Sequence, residues 1–194
     1  PQEKRNQMRA EFGISPDQYV ILMVGTGYQR KGVDRAIKAL AALPPLLLDK
    51  TRLLIIGENK LAPYQRLAQR KGVINHVQFL GARTDVPRFL AISDVLLHPA
   101  RIENTGTVLI EAMASGLAVL ATDICGYGFH VKHAGAGKLI RSPFRQETLN
   151  ALLADMLAAD RLKTWQQNGR QYIQNTDVFS LPEKAADVIE QAAS

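Results

Sequence analysis

Several short segments of the chain are apolar at nearly every position instead of alternating between apolar and polar residues. Such continuous runs are typical of strands that are buried on both faces, as in a parallel sheet. The runs are YVILMVG (19–25), TRLLIIGE (51–58), HVQFLG (76–81), DVLLHP (94–99), LAVLAT (117–122) and GKLIRS (137–142). They predict a parallel sheet of about six strands.

Amphipathic segments separate these runs. In KGVDRAIKALAAL, the apolar residues Val33, Ile37 and Leu40 recur at helical spacing. Helices are also predicted for LAPYQRLAQRKG, DVPRFLAI and GTVLIEAMASG and, after the last strand, for QETLNALLADMLA, RLKTWQQNGRQYIQ and LPEKAADVIEQAA. Alternating strands and helices predict an α/β fold, a Rossmann-like doubly wound parallel sheet with additional C-terminal helices. Trp165 is expected to anchor those last helices in the core.

Length and composition indicate one domain with a single sizeable core, because the chain has 194 residues of which 46% are hydrophobic. The single Cys excludes a disulfide framework and favours a reducing compartment. The first residues, PQEKRNQMRAEFG, lack both an initiator Met and the apolar core of a signal peptide, so we expect a fragment of a longer protein. A net charge of +6 favours an anionic partner, which could be a phosphate, a nucleotide, a nucleic acid or an acidic headgroup.

A glycine-rich loop, GTGYQRKGVDRAI, follows the first predicted strand. In open α/β sheets ligands bind beyond the carboxyl ends of the strands, and Gly25 and Gly27 would allow a tight turn there. The dinucleotide fingerprint fails because Arg30 occupies the position of its third glycine. A Walker loop fails as well, since Gly32 is not followed by Lys and Ser or Thr.

The remaining signal of this loop is the basic pair Arg30–Lys31, predicted at the start of a helix, where free amides and the helix dipole favour an anion. The alternative is a solvated basic pair with no ligand.

A second loop, within HPARIENTGTVLIEAMASGLAVLAT (98–122), carries Glu103 in the loop and Glu111 in a predicted helix. If that helix begins near Gly106, its free amides point into the same crevice and form a second anion site. Carboxylates beside a phosphate site are suited to sugar hydroxyls. Both glutamates could instead be surface residues, but Glu111 has apolar neighbours, so we expect its carboxylate to need a partner.

The spacing of Glu103 and Glu111 resembles the E-x7-E element of the retaining GT-B glycosyltransferases of family 4. The segments GTGYQRKGVDRAIKAL and VQFLGARTDVPRFLAISDVLLHP are similar to the nucleotide-sugar half of that family. More narrowly, RKGVDRAIKALAALP, CGYGFHVKHAGAG and SLPEKAADVI resemble the members that transfer glucose from UDP-glucose to the heptose of the lipopolysaccharide inner core.

The resemblance implies a donor site made of residues from both loops and the helix between them. These residues are Gly25, Gly27, Arg30, Lys31, Arg83, Glu103, Thr105, Gly106, Thr107 and Glu111.

Roles within this site are also implied by the resemblance. Arg30 and Lys31 would bind the donor diphosphate and stabilise the departing UDP. Glu103 would contact hydroxyls of the donor sugar, and with the basic pair it forms the implied catalytic set. Amides near Gly106 would hold a phosphate, and Glu111 would bind the ribose.

The backbone around Arg83 would contact the uracil. No Asp-x-Asp motif is present, which agrees with a metal-independent transferase that requires no cofactor. Asn104 and Thr105 depart from the Glu-Gly-Phe-Gly pattern of many family members.

A GT-B enzyme has two Rossmann-like domains, and this chain resembles only the second. Residues 1–180 are therefore expected to be the nucleotide-sugar-binding domain, and 181–194 a helix that packs on the missing N-terminal domain. The implied protein is cytoplasmic, peripheral on the inner membrane of a Gram-negative bacterium, and takes the lipopolysaccharide core acceptor through that missing domain. Alone, the chain would bind UDP or UDP-glucose weakly and transfer nothing.

Other functions are possible from the sequence. The chain could belong to a family 4 hexosyltransferase with a different donor or acceptor, or to a non-catalytic nucleotide-sugar-binding protein. A basic module that binds nucleic acid is disfavoured, because no nucleic-acid motif is present and aromatic residues are only 6% of the chain. We expect no nucleic-acid partner.

Cysteine and histidine add no further site. Cys125 is expected to be a small buried hydrophobic residue without reactivity. His76, His98, His130 and His133 show no metal-ligand spacing, although the last two could share a helix face.

Overall fold

The strands of the protein coincide with the apolar runs of its sequence. The structure, a computed structural model, describes residues 2–158 and 160–178. In these ranges the strands, β1 to β6, are Tyr19–Val24, Thr51–Ile56, Val77–Gly81, Val95–His98, Ala118–Thr122 and Gly137–Ile140. Every predicted strand is confirmed.

The helices of the same ranges include all the predicted ones that fall within them. The α-helices, α1 to α10, are Gln2–Ala10, Tyr28–Lys31, Val33–Ala41, Pro45–Asp49, Ala62–Arg70, Val86–Ile92, Thr107–Ser115, Gly128–Ala134, Gln146–Ala158 and Leu162–Asn175. A 3-10 helix, Ile74–His76, precedes β3. In the described part of the chain no helix has the length and apolar character needed to cross a membrane. The helix expected at 181–194 lies outside the described residues.

One parallel sheet contains the six strands in the order β3-β2-β1-β4-β5-β6. The chain builds outward from β1 to β3 and then returns to place β4 on the other side of β1. At this reversal the connections after β1 and β4 leave on opposite faces of the sheet, which opens a crevice at the carboxyl ends of the strands. The doubly wound α/β fold predicted from the sequence is confirmed.

Both faces of the sheet are buried. In β1, Ile21 and Met23 belong to one core cluster, whereas Val20 and Leu22 belong to the other. Residues of α3, α5 and α9 cover the first face, and residues of α6, α7 and α8 cover the second. Trp165 in α10 packs half-buried against the first cluster, as expected for an anchor of the C-terminal helices.

Helices α1, α2, α4 and α8 have no counterpart among the predicted elements. The omission of α1 has a clear physical cause, because a guanidinium group rather than an apolar stripe attaches this helix. Its buried residue is Arg9, which is 1% exposed and donates to Asp94 Oδ2 at 2.7 Å and to the carbonyl of Ile92 at 2.9 Å. Arg5 donates to the other oxygen of Asp94 at 2.7 Å.

Asp94 also accepts the amide of Val20 at 2.7 Å and so connects α1, β1 and the turn before β4. We predict that Asp94→Ala lowers the free energy of unfolding by about 3 kcal/mol, because it leaves the buried Arg9 without its counter-ion. Urea unfolding followed by far-UV circular dichroism measures this.

Glu11→Ala is the matched control, since Glu11 pairs with Arg88 at the surface and such pairs contribute at most about 1 kcal/mol. Equal losses in the two variants would contradict the role given to Asp94.

Candidate functional site

The crevice at the ends of β1 and β4 begins with the turn at Gly25. This residue has φ +138°, and a Cβ atom there would lie 2.7 Å from Lys31 Cε. The absence of a side chain at Gly25 therefore makes room for the Lys31 side chain. The tight turn predicted here is present, and it also positions the cation. Gly27, with φ +74°, is the N-cap of α2.

Contrary to the expectation from the sequence, Arg30 and Lys31 do not begin a helix. They form the last turn of the short helix α2, and Gly32 separates it from α3. The pair is nevertheless adjacent to a helix start, because Gly32, which follows it directly, is the N-cap of α3. Arg30 is exposed, whereas Lys31 is largely buried.

The Lys31 ammonium is bonded to Glu103 Oε2, so the basic pair of the first loop and the carboxylate of the second meet in one place. The Nε2 atom of His98, the last residue of β4, lies 2.8 Å from the same oxygen. Glu103 is 8% exposed at its side chain and His98 1%. Glu103 is thus not the surface residue that the alternative interpretation assumed.

Burial on its own raises the pKa of Glu103, but the hydrogen bonds from Lys31 and His98 outweigh this effect and hold the pKa below its usual value. Burial lowers the pKa of His98, assisted by the positive charges of Lys31 and Arg30, and only partly offset by Glu103. At neutral pH Glu103 is therefore ionised and the His98 imidazole is neutral, and Nε2 donates to the carboxylate oxygen.

A second set of contacts holds the two loops together. Arg101, in the loop after β4, forms two hydrogen bonds to Asp34 of α3, at 2.7 and 2.8 Å. Its amide donates to the carbonyl of Arg30 at 2.7 Å, and its guanidinium also reaches the carbonyl of Gln29 at 2.9 Å. The position of the α2 backbone is therefore fixed from the opposite side of the crevice.

Arg35 reinforces this junction. Its guanidinium donates to the carbonyls of Pro99 and Ala100 at 3.1 and 3.0 Å and lies 3.6 Å from the centre of the Phe144 ring. Gly32 allows the approach, because it has φ +77° and a Cβ there would lie 2.1 Å from the Pro99 oxygen.

Helix α7 begins at Thr107, with Gly106 as a left-handed N-cap and no side-chain cap. The helix start predicted near Gly106 is confirmed, and no side chain caps its first amides. The loop before it is fixed by two backbone hydrogen bonds, from Gly126 to the carbonyl of Asn104 at 2.8 Å and from Tyr127 to that of Thr105 at 2.7 Å.

Glu111 and Arg83 lie apart from the Lys31–Glu103 pair. Glu111 is exposed on α7, so the expectation that its carboxylate needs a partner is wrong: water solvates it. Arg83 is exposed after β3, two strands from β1, and pairs with Asp85 at 2.7 Å.

The remaining histidines make structural contacts. His76 Nδ1 lies 3.1 Å from Arg52 Nη1, and His130 Nδ1 lies 2.7 Å from the Tyr172 hydroxyl oxygen. Across residues 2–158 and 160–178, no group of three or more His, Cys, Asp or Glu residues is arranged to hold a metal ion.

Comparison with known proteins identifies the family. The sequence profile described as "Glycosyl transferases group 1" matches residues 4–172. The chain belongs to this glycosyltransferase family. It is 44% identical over 186 residues to the lipopolysaccharide glucosyltransferase WaaG of Escherichia coli (strain K12), a match that covers 95% of this chain and 50% of WaaG.

Two solved structures agree with this fold. A crystal structure of WaaG superposes with a TM-score of 0.91 at 44% identity, over 95% of this chain and 50% of that one. Anabaena HepE in complex with UDP superposes with a TM-score of 0.81 at 25% identity, over 97% and 53%. This glycosyltransferase chain spans about half the length of the relatives it matches.

Three residues of the site were absent from the predicted set: His98, Arg35 and Arg101. His98 carried one signal, since it is a polar residue at the carboxyl end of an otherwise apolar strand. Arg35 and Arg101 carried no such signal, because nothing in the sequence distinguishes them from the other arginines of this basic chain.

Cys125 is buried beside Thr122, and burial raises the pKa of its thiol to about 11. The expectation of a small buried residue is confirmed. We predict that iodoacetamide at pH 7.5 labels the native chain at least about tenfold more slowly than the urea-unfolded chain, because the thiolate is the reactive form. Mass spectrometry of timed samples measures this, and equal rates would contradict it.

Proposed function

We propose that this chain is the donor-binding domain of a retaining glycosyltransferase that moves glucose from UDP-glucose to the heptose of the lipopolysaccharide inner core. The 44% identity to a lipopolysaccharide glucosyltransferase supports the substrates. The similarity to HepE, solved with UDP, supports a uridine nucleotide as donor. Because the chain spans half of these relatives, the activity is that of a longer protein.

The observation that carries the proposal is the contact between Lys31 and Glu103. It joins a group that attracts phosphate to a group that accepts hydrogen bonds from hydroxyls. Helix α7 begins at Thr107, four residues after Glu103. A sugar, a diphosphate and a nucleoside in a row present these same chemical groups in sequence, so one elongated ligand can satisfy all of them.

The chemistry assigned to this chain is electrostatic. Cleavage of the sugar–phosphate bond leaves negative charge on the UDP diphosphate, and the side chains of Arg30 and Lys31 stabilise it. Amides at Thr105, Gly106 and Thr107 hold a phosphate at the start of α7. Fixed donors of this kind lower a barrier because they need no reorganisation during the reaction. The junctions made by Arg35 and Arg101 hold the loops in place.

The remaining assignments follow the length of the ligand. Glu103 accepts hydroxyls of the donor sugar, Glu111 binds the ribose with its exposed carboxylate, and the backbone near Arg83 contacts the uracil. The backbone of Gly25 and Gly27 lies close to the phosphates.

The acceptor binds through the part of the protein outside this chain, so this chain alone transfers nothing. We further propose that the reaction needs no metal ion. We also propose that the complete protein is cytoplasmic and peripheral on the inner membrane, where the net charge of +6 on this chain favours acidic headgroups.

We predict that Arg30→Ala and Lys31→Ala each weaken UDP binding about tenfold or more, because each removes a charge-assisted hydrogen bond worth about 1.5 to 3 kcal/mol. Isothermal titration calorimetry with UDP measures this, with circular dichroism to verify the fold.

Lys163→Ala is the control, because Lys163 is an exposed lysine on α10. The affinity of this variant for UDP should equal that of the unmodified chain. The same affinity is expected with EDTA present. Unchanged binding in both Arg30→Ala and Lys31→Ala would refute the phosphate site.

The identity of the donor sugar is tested separately, because Asn104 and Thr105 depart from the family pattern. Tighter binding of GDP-mannose or UDP-N-acetylglucosamine than of UDP-glucose would indicate another hexosyltransferase of the family.

Substitutions of the two glutamates should have different effects on ligand affinity in the same titration. We predict that Glu103→Gln weakens UDP-glucose about tenfold but UDP little, because the sugar contact is lost. Glu111→Gln should weaken both ligands by the same factor, because both contain the ribose. Equal effects of Glu103→Gln on the two ligands would contradict this division.

A further inference from the structure

Glu103 has two hydrogen-bond donors on one oxygen. Lys31 and His98 both donate to Oε2. Within the described residues, Oε1 accepts only a long hydrogen bond, 3.2 Å, from the amide of Asn104. An ammonium by itself would satisfy the charge of the carboxylate. The second donor on the same atom therefore needs a separate explanation.

The burial of the group supplies that explanation. Glu103 is 8% exposed at its side chain, and an ionised carboxylate at such a position is costly without a donor. Lys31 lies on α2 beside the exposed Arg30, so an anion bound there attracts the same ammonium that stabilises Glu103. If Lys31 were the single donor, binding of an anion would leave the carboxylate uncompensated.

We propose that His98 is a positioning residue that keeps a hydrogen-bond donor on Glu103 when Lys31 is drawn toward an anionic group of the ligand. The imidazole is suited to this role because its position is fixed in β4 and its side chain is 1% exposed. It remains in place while the long Lys31 side chain moves. The part concerning the ligand depends on the proposed function, in which that anion is a diphosphate.

The charged and titratable groups that face the Glu103–His98 pair come from two places, α2 and the turn after β5. Lys31 and Arg30 face it from α2, and the Cys125 thiol faces it from the turn after β5. At neutral pH that thiol is uncharged, because its pKa is about 11. Lys31 and His98 are thus the groups whose loss changes the ionisation of Glu103.

The first test needs no ligand. Carbon-13 NMR follows the titration of the Glu103 carboxyl in Lys31→Met, in His98→Leu and in the double variant that carries both changes. The signal of this carboxyl is assigned by its absence from the spectrum of Glu103→Gln. Each single variant should leave Glu103 ionised at neutral pH, because one donor remains. In the double variant we expect the carboxyl to titrate about one to three pH units higher than in Lys31→Met, because both donors are gone.

His98→Gln tests whether the donor itself is what matters, since its amide can replace the imidazole N–H. In combination with Lys31→Met, His98→Gln should keep the titration midpoint of the Glu103 carboxyl low. A loss of packing at position 98 would not explain this result. His133→Leu, a change at an exposed histidine of α8, is the matched control. Equal titration of Glu103 in Lys31→Met and in the double variant would overturn the proposal. So would a neutral His98 protonated on Nδ1 in nitrogen-15 spectra of the unmodified chain.

The second test uses the ligand. His98→Leu should weaken UDP-glucose about tenfold and more than UDP, and His98→Gln should restore the affinity. Equal weakening of both ligands, or no rescue by Gln, would refute the positioning role during binding. If the unmodified chain binds neither UDP nor UDP-glucose, the proposed function fails, whereas the NMR titration still decides whether His98 is the second donor.

Discussion

A sheet that is buried on both faces restricts polar chemistry to the ends of its strands, and this constraint governs the whole molecule. The two polar groups described above lie at opposite ends of the sheet. At the amino end of β4, Asp94 gathers two arginines and attaches α1. At its carboxyl end, His98 and the following loop hold Glu103 against Lys31. The first group stabilises the fold, and the second has the features of a binding site.

The site depends on two loops that come from opposite sides of the reversal in strand order. Because β1 and β4 are neighbours, the two loops start side by side, and specific contacts then fix their positions relative to each other. Gly25 and Gly32 lack the side chains that would separate Lys31 and the Pro99 carbonyl from the backbone. Arg35 and Arg101 then cross from one loop to the other. A ligand therefore meets donors and acceptors that are already in position, which reduces the free energy spent on ordering them.

Membership of the glycosyltransferase family supports the donor site proposed for these contacts, and the contacts show how the two glutamates of the E-x7-E spacing differ in this chain. The first glutamate is not simply a surface carboxylate. It is a shared acceptor, held by an ammonium from one loop and an imidazole from the strand beneath it. The second glutamate is solvated and makes no demand on the fold. The two residues have the same chemistry but different environments, and that difference supports assigning them to different parts of a ligand.

The sequence alone determined the strands, most helices and the family, because periodic burial and motif spacing are local properties that can be read along the chain. It also placed the start of α7 near Gly106 correctly. Only the tertiary structure decided that Lys31 and His98 both donate hydrogen bonds to Glu103. It also decided that Arg30 and Lys31 end the short helix α2 instead of beginning a helix. It alone showed that Arg9 attaches α1. These features join residues far apart in sequence through charge and hydrogen bonding, and such partners leave no periodic pattern.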